Sequence, residues 1–113
     1  MHVIITGGLG FIGSNIAKRM LNDGHTVTIL DNLETSIAQG IDGANTIHVD
    51  ITDADAVAAL DLPDSDCVIH LAGPSAGMES NASPVQTLSK GYGITLNAID
   101  LATHVKAKRF IIA

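Results

Sequence analysis

Aromatic residues are scarce: the 113-residue chain has no tryptophan, one tyrosine and two phenylalanines. Apolar residues still make up 46%, so a core has to be built from Ile, Val, Leu and Ala. That composition suits a parallel sheet buried on both faces. Cys67 is the single cysteine, which leaves no intrachain disulfide and points to a reducing, cytoplasmic setting. Basic residues are few, 6 against 12 acidic, for a net charge of −6. Such a surface argues against nonspecific nucleic-acid or anionic-membrane partners. No apolar run approaches the roughly 18 residues of a membrane span, and the first apolar run starts so early that no signal peptide is expected. The five histidines, His2, His25, His48, His70 and His104, show no ligand spacing such as i, i+4, so no metal site is expected. There are no repeats and no low-complexity tract. The length allows one domain, large enough for a real core.

What is present is concentrated at Thr6-Gly7-Gly8-Leu9-Gly10-Phe11-Ile12-Gly13. An apolar run, Val3-Ile4-Ile5, precedes it. A helical pattern follows, with Phe11, Ile12, Ile16, Ala17, Met20 and Leu21 on one side. Gly8, Gly10 and Gly13 spell G-x-G-x-x-G, and Gly7, Gly10 and Gly13 give the alternative T-G-x-x-G-x-x-G. Glycines let such a turn bring backbone N–H groups close to a ligand. The next helix aims its unpaired N–H groups and positive dipole end at the same point, where a pyrophosphate would sit. A tight strand-to-helix turn with no ligand is the plain alternative for the bare motif. Against it, a second strand, Thr26 to Leu30, ends in Asp31, 18 residues past Gly13. An acid about 20 residues on is the ribose acceptor of NAD sites. The P-loop reading fails, because Ser14-Asn15 stand where Lys-Ser/Thr is needed.

In chain order, the pattern predicts a first helix over Phe11 to Asp23, with Gly24 as its C′ residue. Residues 37 to 45 read as loop. Thr46 to Val49 is a third strand, closed by Asp50-Ile51. Thr52 is the expected N-cap of a short helix to about Leu60, with Asp55 completing a capping box. Cys67 to Ala72 is a fourth, central strand. Residues 73 to 82 read as loop, and Ser83-Pro84 as N-cap and N1 of a long helix. There Val85, Leu88, Tyr92, Leu96, Ile99 and Thr103 recur at helical steps. Gly91 and Gly93 weaken that helix by about 1 kcal/mol each unless a close approach needs them. Phe110 to Ala113 is strand five. Alternating strands and helices give a Rossmann-type, doubly wound parallel sheet of about five strands in order 3-2-1-4-5. The ligand edge lies at the carboxyl ends of strands one and four.

The chain resembles the N-terminal part of an extended short-chain dehydrogenase/reductase of the NAD-dependent epimerase/dehydratase family. The matching pieces are Thr6 to Gly13, Asp31-Asn32-Leu33, Asp50-Ile51, Val68 to Gly73, Ser83-Pro84, Thr95-Leu96-Asn97 and Lys108 to Ile111. They stand in family order and span essentially the whole chain. The resemblance implies NAD as cofactor and a nucleotide sugar as substrate of the intact enzyme. It implies that Gly7, Gly10 and Gly13 shape the phosphate turn and that the N–H groups of Phe11 and Ile12 meet the pyrophosphate. It places Asp31 on the adenosine ribose, Asn32 near the adenine, and Asp50 and Ile51 at the adenine border. Leu71, Ala72 and Gly73 run beside the nicotinamide-side ribose. Asp31 favours NAD over NADP, since a carboxylate repels a 2′-phosphate.

Several positions depart from the family pattern. Ser75 stands where a lysine is usual, Gly91 where an asparagine is, and Ile94 where a glycine is. The family's catalytic Tyr-x-x-x-Lys is missing, because Tyr92 is followed four residues on by Leu96. The expectation is therefore an NAD-binding Rossmann domain over residues 1–113, without catalytic residues or substrate domain, inactive alone, with strand five at an open edge that favours a homo-oligomer. The intact enzyme would be an oxidoreductase or isomerase acting by transient hydride transfer. A non-catalytic dinucleotide-binding or protein-interaction module of the same fold is the alternative. Other candidates have plainer readings: Tyr92 as packing, His70 as a satisfied core histidine, Asp53 and Asp55 as first-turn helix charges. Asp50 reads equally well as a loop carboxylate if the family pattern is set aside.

Overall fold

The β-branched run at the start of the chain becomes β1 (His2–Thr6), the centre of a five-stranded sheet. The computed structural model describes residues 1–34, 36–73 and 83–113. After β1 come α1 (Phe11–Asn22), β2 (Thr26–Asp31), β3 (Asn45–His48), α2 (Ala54–Ala58), β4 (Cys67–His70), α3 (Pro84–His104) and β5 (Arg109–Ile112). The strand order is β3-β2-β1-β4-β5, every pair parallel, as the alternation of elements predicts. Ile4 lies opposite Thr28 on one side and Val68 on the other, and Thr6 lies opposite Leu30 and His70.

Because side chains alternate along a strand, β1 feeds two cores. Val3 and Ile5 join Leu9, Ala17, Val27, Ile29 and Ile69 beneath α1. Ile4 joins Leu30, Val68, Ile51, Val57, Ile94, Leu101 and Val105 beneath α2 and α3. The sheet is thus covered on both faces.

Local chemistry moves several boundaries. α2 is capped by Asp53, whose carboxylate accepts the Ala56 N–H at 3.1 Å, and not by Thr52. Thr52 is taken by Asp50, to which it donates both N–H (2.9 Å) and hydroxyl (2.6 Å). The helix then ends at Ala58, leaving Leu60 to pack from the connection. Ser83 occupies the N-cap position of α3 without a side-chain cap, and Pro84 follows at the start of the helix. β4 stops at His70, because Leu71 and Ala72 turn to donate to Thr6. Gly24 closes α1 as expected.

The helix faces depart further. Phe11 and Ile12 are exposed, and α1 buries Gly13, Ser14 and Ala17. On α3, Val85, Leu88, Tyr92, Leu96 and Ile99 form an exposed apolar face, with Tyr92 70% accessible. The inward face is Ile94, Ala98, Leu101 and Ala102. In α1 the expected stripe still packs inward through Ile16, Ala17, Met20 and Leu21; in α3 the inward side is the other one, because small residues make the close contact. Among the described residues, no helix is long and apolar enough to cross a membrane.

Candidate functional site

The glycine turn is built by two close approaches. Gly7 has φ +68°, and a Cβ there would stand 2.8 Å from the Ala72 nitrogen. A Cβ on Gly13 would collide with the Gly7 carbonyl and come within 2.7 Å of the Gly8 α-carbon. Only glycine lets α1 start this close to β1 and β4. The Gly7 N–H donates to the Leu30 carbonyl at 2.8 Å, and Gly10 N–H to the Gly7 carbonyl at 3.2 Å. Gly10 is the N-cap of α1 and offers no side-chain cap, and the first turn carries no acid. The N–H groups of Phe11 and Ile12 therefore have neither an intrahelical nor a side-chain partner of this kind.

Asp31 ends β2 beside this turn and is 9% accessible. One carboxylate oxygen accepts the Leu9 N–H at 2.9 Å, the other the Leu33 N–H at 2.8 Å. It therefore orders both the glycine turn and the chain after β2. Lone pairs remain, since a carboxylate has about four acceptor sites. Asn32 accepts the Glu34 N–H at 3.1 Å. Asp50 has its carboxyl held below the usual range, chiefly by the Thr52 hydroxyl, then by the Thr52 N–H and the charge of Lys90. The carbonyl of Ile51 accepts from Asn97 of α3 at 2.7 Å, fixing that helix to the end of β3's loop.

These pieces surround one cavity of about 540 Å³ along the carboxyl ends of the strands. Its wall brings together the glycine turn (Gly7, Gly10, Phe11, Ile12, Gly13), Asp31-Asn32, Asp50-Ile51 and Leu71-Ala72-Gly73. The cradle left by Gly7 and Gly13, the open α1 N-terminus and the acid at the end of β2 fit the phosphates and ribose of a dinucleotide. Sequence reasoning missed Lys90, the one basic side chain among the described lining residues. Its signal was position: it precedes Ile94 by one helical turn, on the same side of α3. Ile94, noted as a departure, is buried and lines the cavity. Ser75 lies outside the described residues.

Residues 3–113 match the NAD dependent epimerase/dehydratase family. The chain belongs to that family. Within it, the chain is 31% identical to UDP-glucose 4-epimerase of Caenorhabditis elegans, over 98% of this chain and 37% of that protein. It is 32% identical to UDP-glucuronic acid decarboxylase 1 of Danio rerio, over 95% of this chain and 26% of that protein. The solved UDP-glucose 4-epimerase of Thermus thermophilus, in complex with NAD, superposes with a TM-score of 0.84 at 30% identity, over 97% of this chain and 36% of that one. The chain thus spans between about a quarter and two-fifths of the length of these family members. The cofactor of the family is NAD.

Proposed function

We propose that this chain is the NAD-binding portion of a nucleotide-sugar epimerase- or dehydratase-type oxidoreductase. The observation that carries the reading is the single cavity joining the glycine turn, Asp31, Asp50-Ile51 and Leu71-Ala72-Gly73. In it, the Phe11 and Ile12 N–H groups and the α1 dipole receive the pyrophosphate. Asp31 accepts from the adenosine ribose hydroxyls and disfavours a 2′-phosphate. Asp50, kept ionised, accepts from the adenine amino group, with Asn32 and Ile51 at its border. Leu71 to Gly73 flank the nicotinamide-side ribose, and Lys90 offsets the acids around an anionic ligand.

When bound, NAD supplies a reversible hydride acceptor. The residues here hold and orient it, and no Tyr-x-x-x-Lys is present among them. Binding without turnover is the expected behaviour of these 113 residues, with the nucleotide sugar and transient hydride transfer belonging to the intact enzyme. A cytoplasmic location and a homo-oligomer remain part of the same proposal. Support for the second comes from β5 as an edge strand with exposed Ile111 and Ile112.

Calorimetric titration with NAD and NADP, on this chain and on Asp31→Ala, tests the reading. Loss of a charged hydrogen-bond acceptor weakens NAD binding by roughly 10- to 100-fold. NADP is expected to bind more weakly than NAD to the unmutated chain. A cooperatively melting protein that takes up neither nucleotide overturns the assignment.

A further inference from the structure

Behind the cavity wall, Thr6 of β1 and His70 of β4 stand directly opposite each other on the face covered by α3. The Ala72 N–H donates to the Thr6 Oγ1 at 3.2 Å, and the Leu71 N–H is shared between that hydroxyl (3.2 Å) and the Thr6 backbone carbonyl (3.1 Å). A hydroxyl has two lone pairs and one proton. Both lone pairs are engaged by groups that can only donate. The remaining contact, His70 Nδ1 at 2.7 Å, must therefore receive the Thr6 proton. A neutral imidazole with a bare Nδ1 carries its proton on Nε2. That N–H faces the Thr95 Oγ1 of α3 at 3.3 Å. The Thr95 hydroxyl in turn donates to the Gly91 carbonyl at 3.0 Å. The hydrogen bonds run in one direction, from the backbone of Leu71 and Ala72 through two hydroxyls and a ring to the backbone of α3.

We propose that His70, as its Nε2–H tautomer, is a positioning residue that holds Leu71-Ala72-Gly73 at the cavity through Thr6 and ties that segment to α3 through Thr95. Gly7 leaves the segment little slack, because even a Cβ added there would stand 2.8 Å from the Ala72 nitrogen. On the other side, α3 carries Lys90 and Ile94 to the same cavity. The relay thus couples two walls of the same cavity, one from the end of β4 and one from α3. This goes beyond the cofactor reading and relies on it only for what the cavity holds.

A neutral ring is required. An imidazolium would direct a third donor at Thr6 Oγ1 and leave the Thr6 proton without its acceptor. The surroundings favour neutrality: His70 is 3% accessible and stacks on Phe110 of β5 with ring centroids 6.2 Å apart. Its partners on β1, β5 and α3 are Thr6, Phe110 and Thr95, none of them charged. Burial alone pushes its pKa below the ordinary value. The tautomer tests the direction of the relay, and amide exchange at Ala72 tests whether the relay holds the segment.

Long-range 1H–15N NMR of the histidine rings near pH 7.5 is the direct test. His70 is expected as the Nε2–H form; an Nδ1–H form, or exchange between the two, overturns the proposal. Amide hydrogen exchange gives the second arm. Thr6→Val removes the acceptor for Ala72, while Leu71 keeps the Thr6 carbonyl, so exchange is expected to speed by about tenfold at Ala72. Thr6→Ser keeps the hydroxyl and is expected to stay within about twofold of the parent protein. The Val27 and Ile29 amides of β2 report global stability in the same spectra. Acceleration at Ala72 that spares β2 supports the relay. Equal rates in all three proteins, or equal acceleration at β2, overturn it. None of these readouts uses NAD, so this proposal and the cofactor reading fail separately.

Discussion

α1 and α3 cover opposite faces of the same sheet, and they reach it by the same means. α1 approaches through Gly13, Ser14 and Ala17, while Phe11 and Ile12 stand exposed at the cavity rim. α3 approaches through Ala98 and Ala102 flanking Ile94 and Leu101, while five larger apolar or aromatic residues face outward. In both helices the small residues mark the near side. The difference lies in the fastening. α1 is held by backbone against backbone at Gly7 and Gly13, with Asp31 bracing the turn. α3 is held by side chains, Asn97 to Ile51 and Thr95 to His70. A helix docked by glycine has no adjustable contact, whereas one docked through polar side chains can be loosened by chemistry.

The largest expected effect breaks the assignment of α3's faces. Leu101 is 2% accessible and Leu96 is 46% accessible on the same helix. Leu101→Ala should cost about 2–5 kcal/mol by removing transfer energy and leaving a cavity. Leu96→Ala should stay within about 0.5 kcal/mol, as for other surface changes. Urea unfolding of both variants decides it, and the reverse ranking would restore the face that the sequence periodicity suggested.

A smaller effect sharpens the contrast in fastening. His70 has its pKa depressed by burial below the ordinary 6.5. A base depressed in the folded state binds fewer protons folded than unfolded. The stability it contributes is thus fully present above pH 6.5 and is lost as the pH falls from there towards the lower folded value. Unfolding free energy should drop between about pH 7.5 and 5.5, a window well above the lowered carboxyl of Asp50. His70→Phe should flatten that slope. Hydrogen exchange across the same interval should quicken at the β4–α3 contact and not at the α1–β1 contact. A slope unchanged in the variant would show that the acid sensitivity arises elsewhere.

What was legible in the sequence follows from the same contrast. The glycine turn and Asp31 could be read because a backbone approach admits so few residue types: Gly7 and Gly13 leave no room for a Cβ. The strand order followed from alternating elements and the handedness of their crossovers. Hydrophobic spacing found the inward side of α1 from Ile16 to Leu21, but not that of α3, where Ala98 and Ala102 carry contacts that a hydrophobicity pattern weighs lightly. Thr52 was a sound cap by type, but Asp50 two residues earlier offered its hydroxyl a charged acceptor, and Asp53 took the cap. Thr6 and His70 are 64 residues apart, and only the strand register brings them together. Lys90 enters the cavity because packing at Ile94 and Ala98, not the helix's larger apolar stripe, sets which side of α3 faces inward.

The smallest predicted effect concerns the glycines themselves. α1 uses Gly13 because a side chain there would strike the Gly7 carbonyl, and no such demand exists at Gly93 of α3. Among the described residues, a Cβ at Gly93 would meet no atom within 4 Å. The residue sits in mid-helix, so Gly93→Ala gains helix propensity and trims the entropy of the unfolded chain, for about 0.5–1 kcal/mol of added stability. Gly13→Ala should do the opposite, because the backbone it strikes cannot give way without opening the turn. Thermal melts of the two variants should therefore move in opposite directions. A Gly93→Ala protein that melts lower would mean that the bare backbone at that position is needed by something docked against α3, and would make that face of the helix the next place to look for a partner group.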